Sequence, residues 1–392
     1  MLGVNSNDAP GAEHVMNFDF SEDLNMLREQ ARRFLTERCP PAAARKALEG
    51  GPALDTALWQ EIAGLGWLGA AVSEEYGGIG LGHEGLCVLA EEIGRAIAPV
   101  PFSSSVYLAT EALVLFGTEE QKQARLPALC SGARIGTFAL AEGPGNPSPR
   151  GVAARVTGGR LSGSKWPVLD GEVADFAVVV AQDGDAGLAL FAVDLAGSGV
   201  SRAPLRTVDP SRSQSRITFD GAPAERIGTD AFAWADVERL IDRAAVLLAF
   251  EQVGGATQCL EMATAYAKER TAFGRPIGSF QAIKHKLADV YIATELARSN
   301  AYYGAWALST DAPELPVAAA AARVAGNDAY HLASKENIQT HGGMGFTWQL
   351  DCHLYYRRSK MLSLTLGSQP YWRERLVSGF EARVEAQDKA AA

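Results

Sequence analysis

The sequence has no run of about 18 apolar residues, so no membrane span is expected. It also lacks any cluster of Lys and Arg. Its 36 basic residues are outnumbered by 46 acidic ones, for a net charge of −10. A phosphate backbone requires a basic face, so nucleic acid is excluded as a partner. Cysteine is sparse: Cys39, Cys87, Cys130, Cys259 and Cys352 are far apart, odd in number and without CxxC spacing. That pattern excludes a disulfide framework or cysteine zinc site and fits buried free thiols in a reducing cytoplasm. The six histidines show no HExxH or similar spacing, so no metal is expected. Residues 1–15 lack a basic stretch followed by an apolar run. They read as a disordered lead-in and not as a signal peptide.

What is present is ordinary globular material, 47% hydrophobic and 21% charged over 392 residues, enough for two or three domains. Three textures follow one another. Residues 16–132 read as a helical domain. Leu24, Leu27, Ala31 and Leu35 recur at helical spacing behind a Ser21 N-cap, and Pro40 and Pro41 end that helix. The segment PVPFSSS reads as a loop, followed by a helix from about Leu108 to Phe116. Residues 133–232 alternate short β-rich runs with turn residues, which predicts an antiparallel β domain. Asp-Gly pairs at 170–171, 183–184 and 220–221 are read as hairpin signals. Residues 233–385 carry four long helical patterns, a C-terminal bundle, with a frayed Ala-rich tail from Asp388. The fold class is therefore α+β, mostly α.

Two stretches, RTAFGRPIGSFQAIKHKLAD at 270–289 and IQTHGGMGFTWQLDCHLYYRR at 338–358, together resemble the acyl-CoA dehydrogenase family. EEYGGIGLGHEGLCVLAEEIGRAIAPVPF, at 74–102, is similar to the family's N-terminal helical domain. The resemblance implies helical, β and four-helix domains in a tetramer, FAD as cofactor, an acyl-CoA substrate and an electron-transferring flavoprotein as acceptor. It also implies that Arg270, Phe273, Gln281, Gln339, Gly342 and Gly343 reach the FAD of a neighbouring subunit. The residue chemistry agrees. Arg270 offers a donor fork suited to phosphate oxygens, and glycines let a backbone approach a dinucleotide closely.

The family's reaction removes an α proton with a carboxylate while the β hydride leaves for the flavin. The resemblance places that carboxylate at one of two positions, and here they are Leu366 and Ala244. Neither can accept a proton. Glu251, two turns beyond Ala244 on the same helical face, is the fallback candidate. Its alternative reading is a subunit contact, or a place near an arginine, beside the close-packing glycines of EQVGGA. Glu238 and Asp242 are expected on an exposed face, paired with Arg239 and Arg243, and Glu374 in a solvated ion pair. The flavin-side stretch AEGPGNPSP keeps only Glu142 in register. Pro167, Val168 and Leu169 stand where the family carries polar groups. Residues that would serve a neighbour are kept and residues that would serve the chain's own substrate are lost. That asymmetry resembles the base-lacking subunit of a heterotetrameric acyl-CoA dehydrogenase. The alternatives are a homotetramer with a relocated base, an oxidase or monooxygenase of the same fold, and a silent scaffold.

Overall fold

The computed structural model describes residues 20–391 except Asp230, and omits the side chains of 386–387 and 389–391. The expected lead-in at 1–15 lies outside the described residues. The chain opens with α1 (Glu22–Arg38), α2 (Ala42–Leu48), α3 (Thr56–Gly64) and α4 (Gly82–Arg95). Ser21 caps α1 by accepting from the Leu24 amide at 3.3 Å, and Pro40 and Pro41 separate it from α2. The segment read as a loop at PVPFSSS is helical from Ser103: residues Ser103–Thr110 form a π-helix that runs into α5 (Glu111–Phe116). All eight residues of that π-helix are buried, so packing overrides the weak helix preference of three serines. Helix α6 (Glu119–Cys130) completes this layer behind a capping box of Thr118 and Gln121.

The β domain comprises β1 (Gly136–Ala139), β2 (Arg155–Thr157), β3 (Arg160–Leu169), β4 (Phe176–Asp183), β5 (Leu188–Asp194), β6 (Val200–Pro204), β7 (Gln214–Pro223) and β8 (Glu225–Ile227). The strand order is β6-β7-β3-β2-β4-β5-β8, with β1 also on β4. The sheet is not purely antiparallel, because β1 and β2 both pair β4 in parallel. Of the three Asp-Gly pairs, the one at 183–184 closes the β4–β5 hairpin. Asp220-Gly221 lies within β7, and Asp170-Gly171 follows β3, whose partners are β2 and β7.

Helix α7 (Trp234–Glu269) is the axis of the molecule: from Leu240 to Ala256 every residue is buried. A short hairpin of β9 (Thr271–Ala272) and β10 (Arg275–Pro276) follows. Next come α8 (Gln281–Ser309), α9 (Leu315–His341), α10 (Cys352–Leu364) and α11 (Gln369–Ala391), the last still helical beyond Asp388. Helices α4 and α7 cross backbone to backbone. A Cβ on Gly254 would lie 1.9 Å from the Glu91 carbonyl, and one on Gly94 would lie 2.1 Å from that of Glu251. All five cysteines are buried free thiols. Among the described residues no helix is long and apolar enough to cross a membrane, and no group of His, Cys, Asp and Glu could hold a metal ion.

Candidate functional site

The end of α7, the β9–β10 hairpin and the loop after α9 meet at an open recess of about 530 Å³. Tyr266, Arg270, Ile277, Thr340, His341, Gly342, Gly343, Met344 and Thr347 line it. Thus Arg270, Gly342 and Gly343 are brought together as expected, whereas Phe273, Gln281 and Gln339 are exposed outside the lining. Among the described residues the Arg270 side chain has no carboxylate partner, and a Cβ on Gly342 or Gly343 would meet nothing within 4 Å. The recess therefore offers a free guanidinium and an open glycine backbone, a set suited to a pyrophosphate. Sequence reasoning missed the Tyr266–His341 pair, stacked at 4.1 Å between ring centroids. Its signal was available, since Tyr266 lies one turn before Arg270 and His341 belongs to the quoted THGG motif. His341 Nδ1 faces the Asn337 carbonyl at 2.8 Å.

Phe273 stands beside the recess at the hairpin tip. It is 95% exposed and takes φ +51°, followed by Gly274 at +76°. Two consecutive positive φ values are the signature of a tight hairpin turn, in which Asn or Asp is preferred at the first position. A bulky residue there is strained.

Leu366 and Ala244, the positions that the resemblance assigns to a base, are differently built. Leu366 follows α10 in a left-handed conformation, φ +61°, with Gly367 at +120°. A Cβ on Gly367 would lie 2.4 Å from the Tyr371 ring. Arg323, fully buried, holds this bend by donating to the carbonyls of Leu362 and Thr365, both at 2.8 Å. Asn146 closes it from the β domain by accepting from the Ser368 amide at 3.0 Å. Ala244 is fully buried. Its neighbour Arg243 is buried against Glu111, with Nε donating to the carboxylate at 2.5 Å. Burial would push the Glu111 carboxyl up, but His83 and Arg243 outweigh it and hold it at about 2. Asp242 corrects the expectation of an exposed face: it is 2% exposed and accepts both arms of the Arg375 fork on α11, at 2.6 and 2.9 Å. Glu374 is exposed as expected but not ion-paired among the described residues: it accepts from Ser378 Oγ at 3.4 Å, while its neighbours Arg373 and Arg375 pair with Asp328 and Asp242.

Glu251 has no exposed surface, and neither carboxylate oxygen has a hydrogen-bond partner among the described residues. Burial raises its pKa against the pull of Arg212 and Arg358, and the Tyr107 hydroxyl stands close by. The two guanidiniums are themselves anchored, Arg212 to Asp170 and Arg358 to Asp209, each at 2.6 Å. The arrangement is a sealed charge network spanning the π-helix, β3, the β6–β7 connection, α7 and α10.

The stretch AEGPGNPSP is mostly exposed or half-buried, as is Pro167. Glu142 accepts from the Ala153 and Ala154 amides and from buried Lys165, the last at 2.7 Å. Val168 is fully buried, while the Leu169 carbonyl accepts from Thr137 Oγ1 at 2.6 Å.

Comparison with known proteins agrees with this geometry. Residues 21–133 match the family model for the acyl-CoA dehydrogenase N-terminal domain, and residues 234–378 match that for its C-terminal domain. Acyl-CoA dehydrogenase IpdE2 of Mycobacterium tuberculosis is 32% identical over 86% of this chain and 91% of its own length. The human mitochondrial short-chain specific acyl-CoA dehydrogenase is 30% identical over 89% of this chain and 88% of its own length. Among solved structures, the ChsE4–ChsE5 complex from Mycobacterium tuberculosis superposes with a TM-score of 0.84 at 30% identity, covering 93% of this chain and 99% of that one. A variant of the Tcur3481–Tcur3483 steroid ACAD gives 0.83 at 33% identity, with coverage of 93% and 99%. The helix–sheet–helix architecture, the recess between α7 and the THGG loop and these likenesses agree: the chain belongs to the acyl-CoA dehydrogenase family, oxidoreductases that act on CH–CH groups.

Proposed function

We propose that this chain is a subunit of a FAD-linked acyl-CoA dehydrogenase that completes the flavin site of a homologous partner and carries no general base of its own. The observation behind this reading is the contrast between two places on one chain. The recess at Arg270, Gly342 and Gly343 is open, with the Arg270 guanidinium unpaired among the described residues and space above both glycines. The positions for a base hold Leu366 and Ala244, which cannot take a proton, and the fallback Glu251 is sealed. An accessible base contributes roughly 10²–10⁴-fold in rate, so its loss is not neutral for a chain working alone. Arg270, Gly342 and Gly343 would hold a FAD diphosphate, with Phe273, Gln281 and Gln339 beside them. When bound, FAD supplies the hydride acceptor for α,β-dehydrogenation of an acyl-CoA thioester.

The heteromeric arrangement draws support from the ChsE4–ChsE5 complex and from the Tcur3481–Tcur3483 protein, a steroid ACAD. A bulky, steroid-like acyl group is the substrate class this favours, with an electron-transferring flavoprotein as acceptor and the cytoplasm as location. The test is purification of the chain alone and with a co-expressed homologue, each followed by a flavin spectrum before and after mixed acyl-CoAs. The expected result is little or no FAD on the chain alone and an acyl-CoA-bleached flavin on the pair. One FAD per chain in the lone protein, reduced by acyl-CoA, overturns the proposal. Rapid oxygen consumption with a hydroxylated product would instead identify a monooxygenase.

A further inference from the structure

Helix α2 is only seven residues long and lies between two pairs of breakers, Pro40-Pro41 and Gly50-Gly51. It has no side-chain N-cap, and its isolated stability is negligible at this length. Its charged side reaches a distant part of the chain. Arg45 donates one arm of its fork to the Trp348 carbonyl and the other to the Asp351 carboxylate. Its guanidinium also lies 5.6 Å from the centroid of the Trp348 ring. Glu49, one turn on, accepts from Trp348 Nε1 at 3.1 Å. The Trp348 ring stacks on His353 at 4.9 Å and 17°. Asp351, at the N-cap position of α10, makes no cap bond and directs its carboxylate to Arg45.

These contacts seize the segment just after GGMGF. That segment is otherwise held by its own turn, in which the Thr347 amide and hydroxyl both donate to the Met344 carbonyl, at 3.0 and 2.7 Å. Gly345 packs closely on the Ile338 carbonyl, 2.5 Å from an added Cβ, which ties the turn to the end of α9. An anchor at Trp348 and Asp351 therefore sets the pose of Gly342 and Gly343 as well.

We propose that α2 is a strap on this loop, and that Arg45, assisted by Glu49, is a positioning residue for the surface Gly342 and Gly343 present to the partner's cofactor. The proposal rests on the cross-subunit reading above. It makes the N-terminal domain a determinant of a site built wholly from C-terminal residues. A lysine cannot replace Arg45, because a point charge cannot engage a carbonyl and a carboxylate as a fork does.

The test compares wild type, Arg45→Ala, Arg45→Lys and Trp348→Phe by hydrogen exchange of the full chain, and by FAD retention in the co-purified assembly on dialysis. The expected result for Arg45→Ala is about tenfold faster exchange of amides 342–351, with the buried amides of α7 unchanged and FAD dissociating faster. Arg45→Lys is expected to lie between the two. Trp348→Phe, which keeps an aromatic ring but loses the bond to Glu49 and part of the stacking area, is expected to show a smaller effect of the same sign. Unchanged exchange at 342–351 in Arg45→Ala overturns the strap. Faster exchange with unchanged FAD retention overturns its role in the flavin site. An assembly in which wild type itself holds no FAD defeats the cross-subunit reading, and the exchange data then decide the strap separately.

Discussion

Leu366 carries a left-handed backbone that costs a non-glycine residue on the order of 1 kcal/mol, and its side chain has no polar atom with which to use it. The bend survives because Arg323, Asn146 and the close fit of Gly367 on Tyr371 hold it from three sides. Restoring a carboxylate is therefore not enough. On the proposed reading, the Leu366→Glu chain, expressed alone, is expected to show no robust dehydrogenation of acyl-CoA, because Pro167, Val168 and Leu169 still differ from the family's pattern at the positions that the resemblance assigns to the flavin side. Strong bleaching of a bound flavin by substrate would show that the lost carboxylate was the whole difference. Glu111 gives a second test at this scale. Its carboxyl lies at about 2 instead of 4.5, below its unfolded value. The stability it contributes is thus fully present above about pH 4.5 and is lost as pH falls toward 2. At ~1.4 kcal/mol per unit this is about 3 kcal/mol. Urea melts should show a steeper loss of stability across that window in wild type than in Glu111→Gln. That Leu366 and Ala244 carry no ionisable group is read directly from the sequence. The burial of Asp242 was not, because its partner Arg375 lies on another helix and no local pattern announces a long-range ion pair.

At the scale of elements, the α4–α7 crossing decides the interior. Gly94 and Gly254 bring two backbones into contact, and Gly255 makes room for the Tyr330 ring, 2.3 Å from an added Cβ. Gly254→Ala pushes a methyl into a carbonyl that cannot move, and its expected cost is at least about 3 kcal/mol, seen as a large fall in Tm. A near-native Tm would mean that the helices can separate freely. The helices themselves were legible because their apolar period is long and regular. The π-helix at 103–110 was not, since three serines after a proline pair read as loop and only burial makes them helical. The Asp-Gly pairs at 170–171 and 220–221 misled for a related reason. Asp170 takes φ +54° but serves as the buried partner of Arg212, and Gly221 at +64° lies inside a continuous strand. The same dipeptide satisfies a turn, a bulge or an ion pair, and tertiary pairing selects among them.

For the whole molecule, the informative surface is the one that does not suit a lone chain. Phe273 and Phe346, 95% and 76% exposed, flank the recess with Met344. Exposed aromatics beside a ligand recess mark a contact surface, and Phe273 adds backbone strain. Phe273→Asn should move two quantities in opposite directions. The isolated chain gains about 1 kcal/mol in urea melts, because Asn suits that turn position. The assembly, followed by light scattering, weakens. An assembly unaffected by the change would remove Phe273 from the interface. The three-part order of the fold was legible from texture alone. The recess was legible in part, through Arg270 and the glycines, while the aromatic platform of Tyr266 and His341 depends on two helices meeting.

The five thiols supply a readout that needs no partner, flavin or substrate. Each is buried, and burial pushes Cys39 up to about 12 and Cys130 and Cys352 to about 11, with Cys87 and Cys259 well above the ordinary value. A thiol that is neither exposed nor ionised does not react with an alkylating reagent. The native chain is therefore expected to react slowly with such reagents. Because the cysteines fall in α4, α6, α7, α10 and just after α1, the order in which they become labelled under rising denaturant would record which parts of the protein open first.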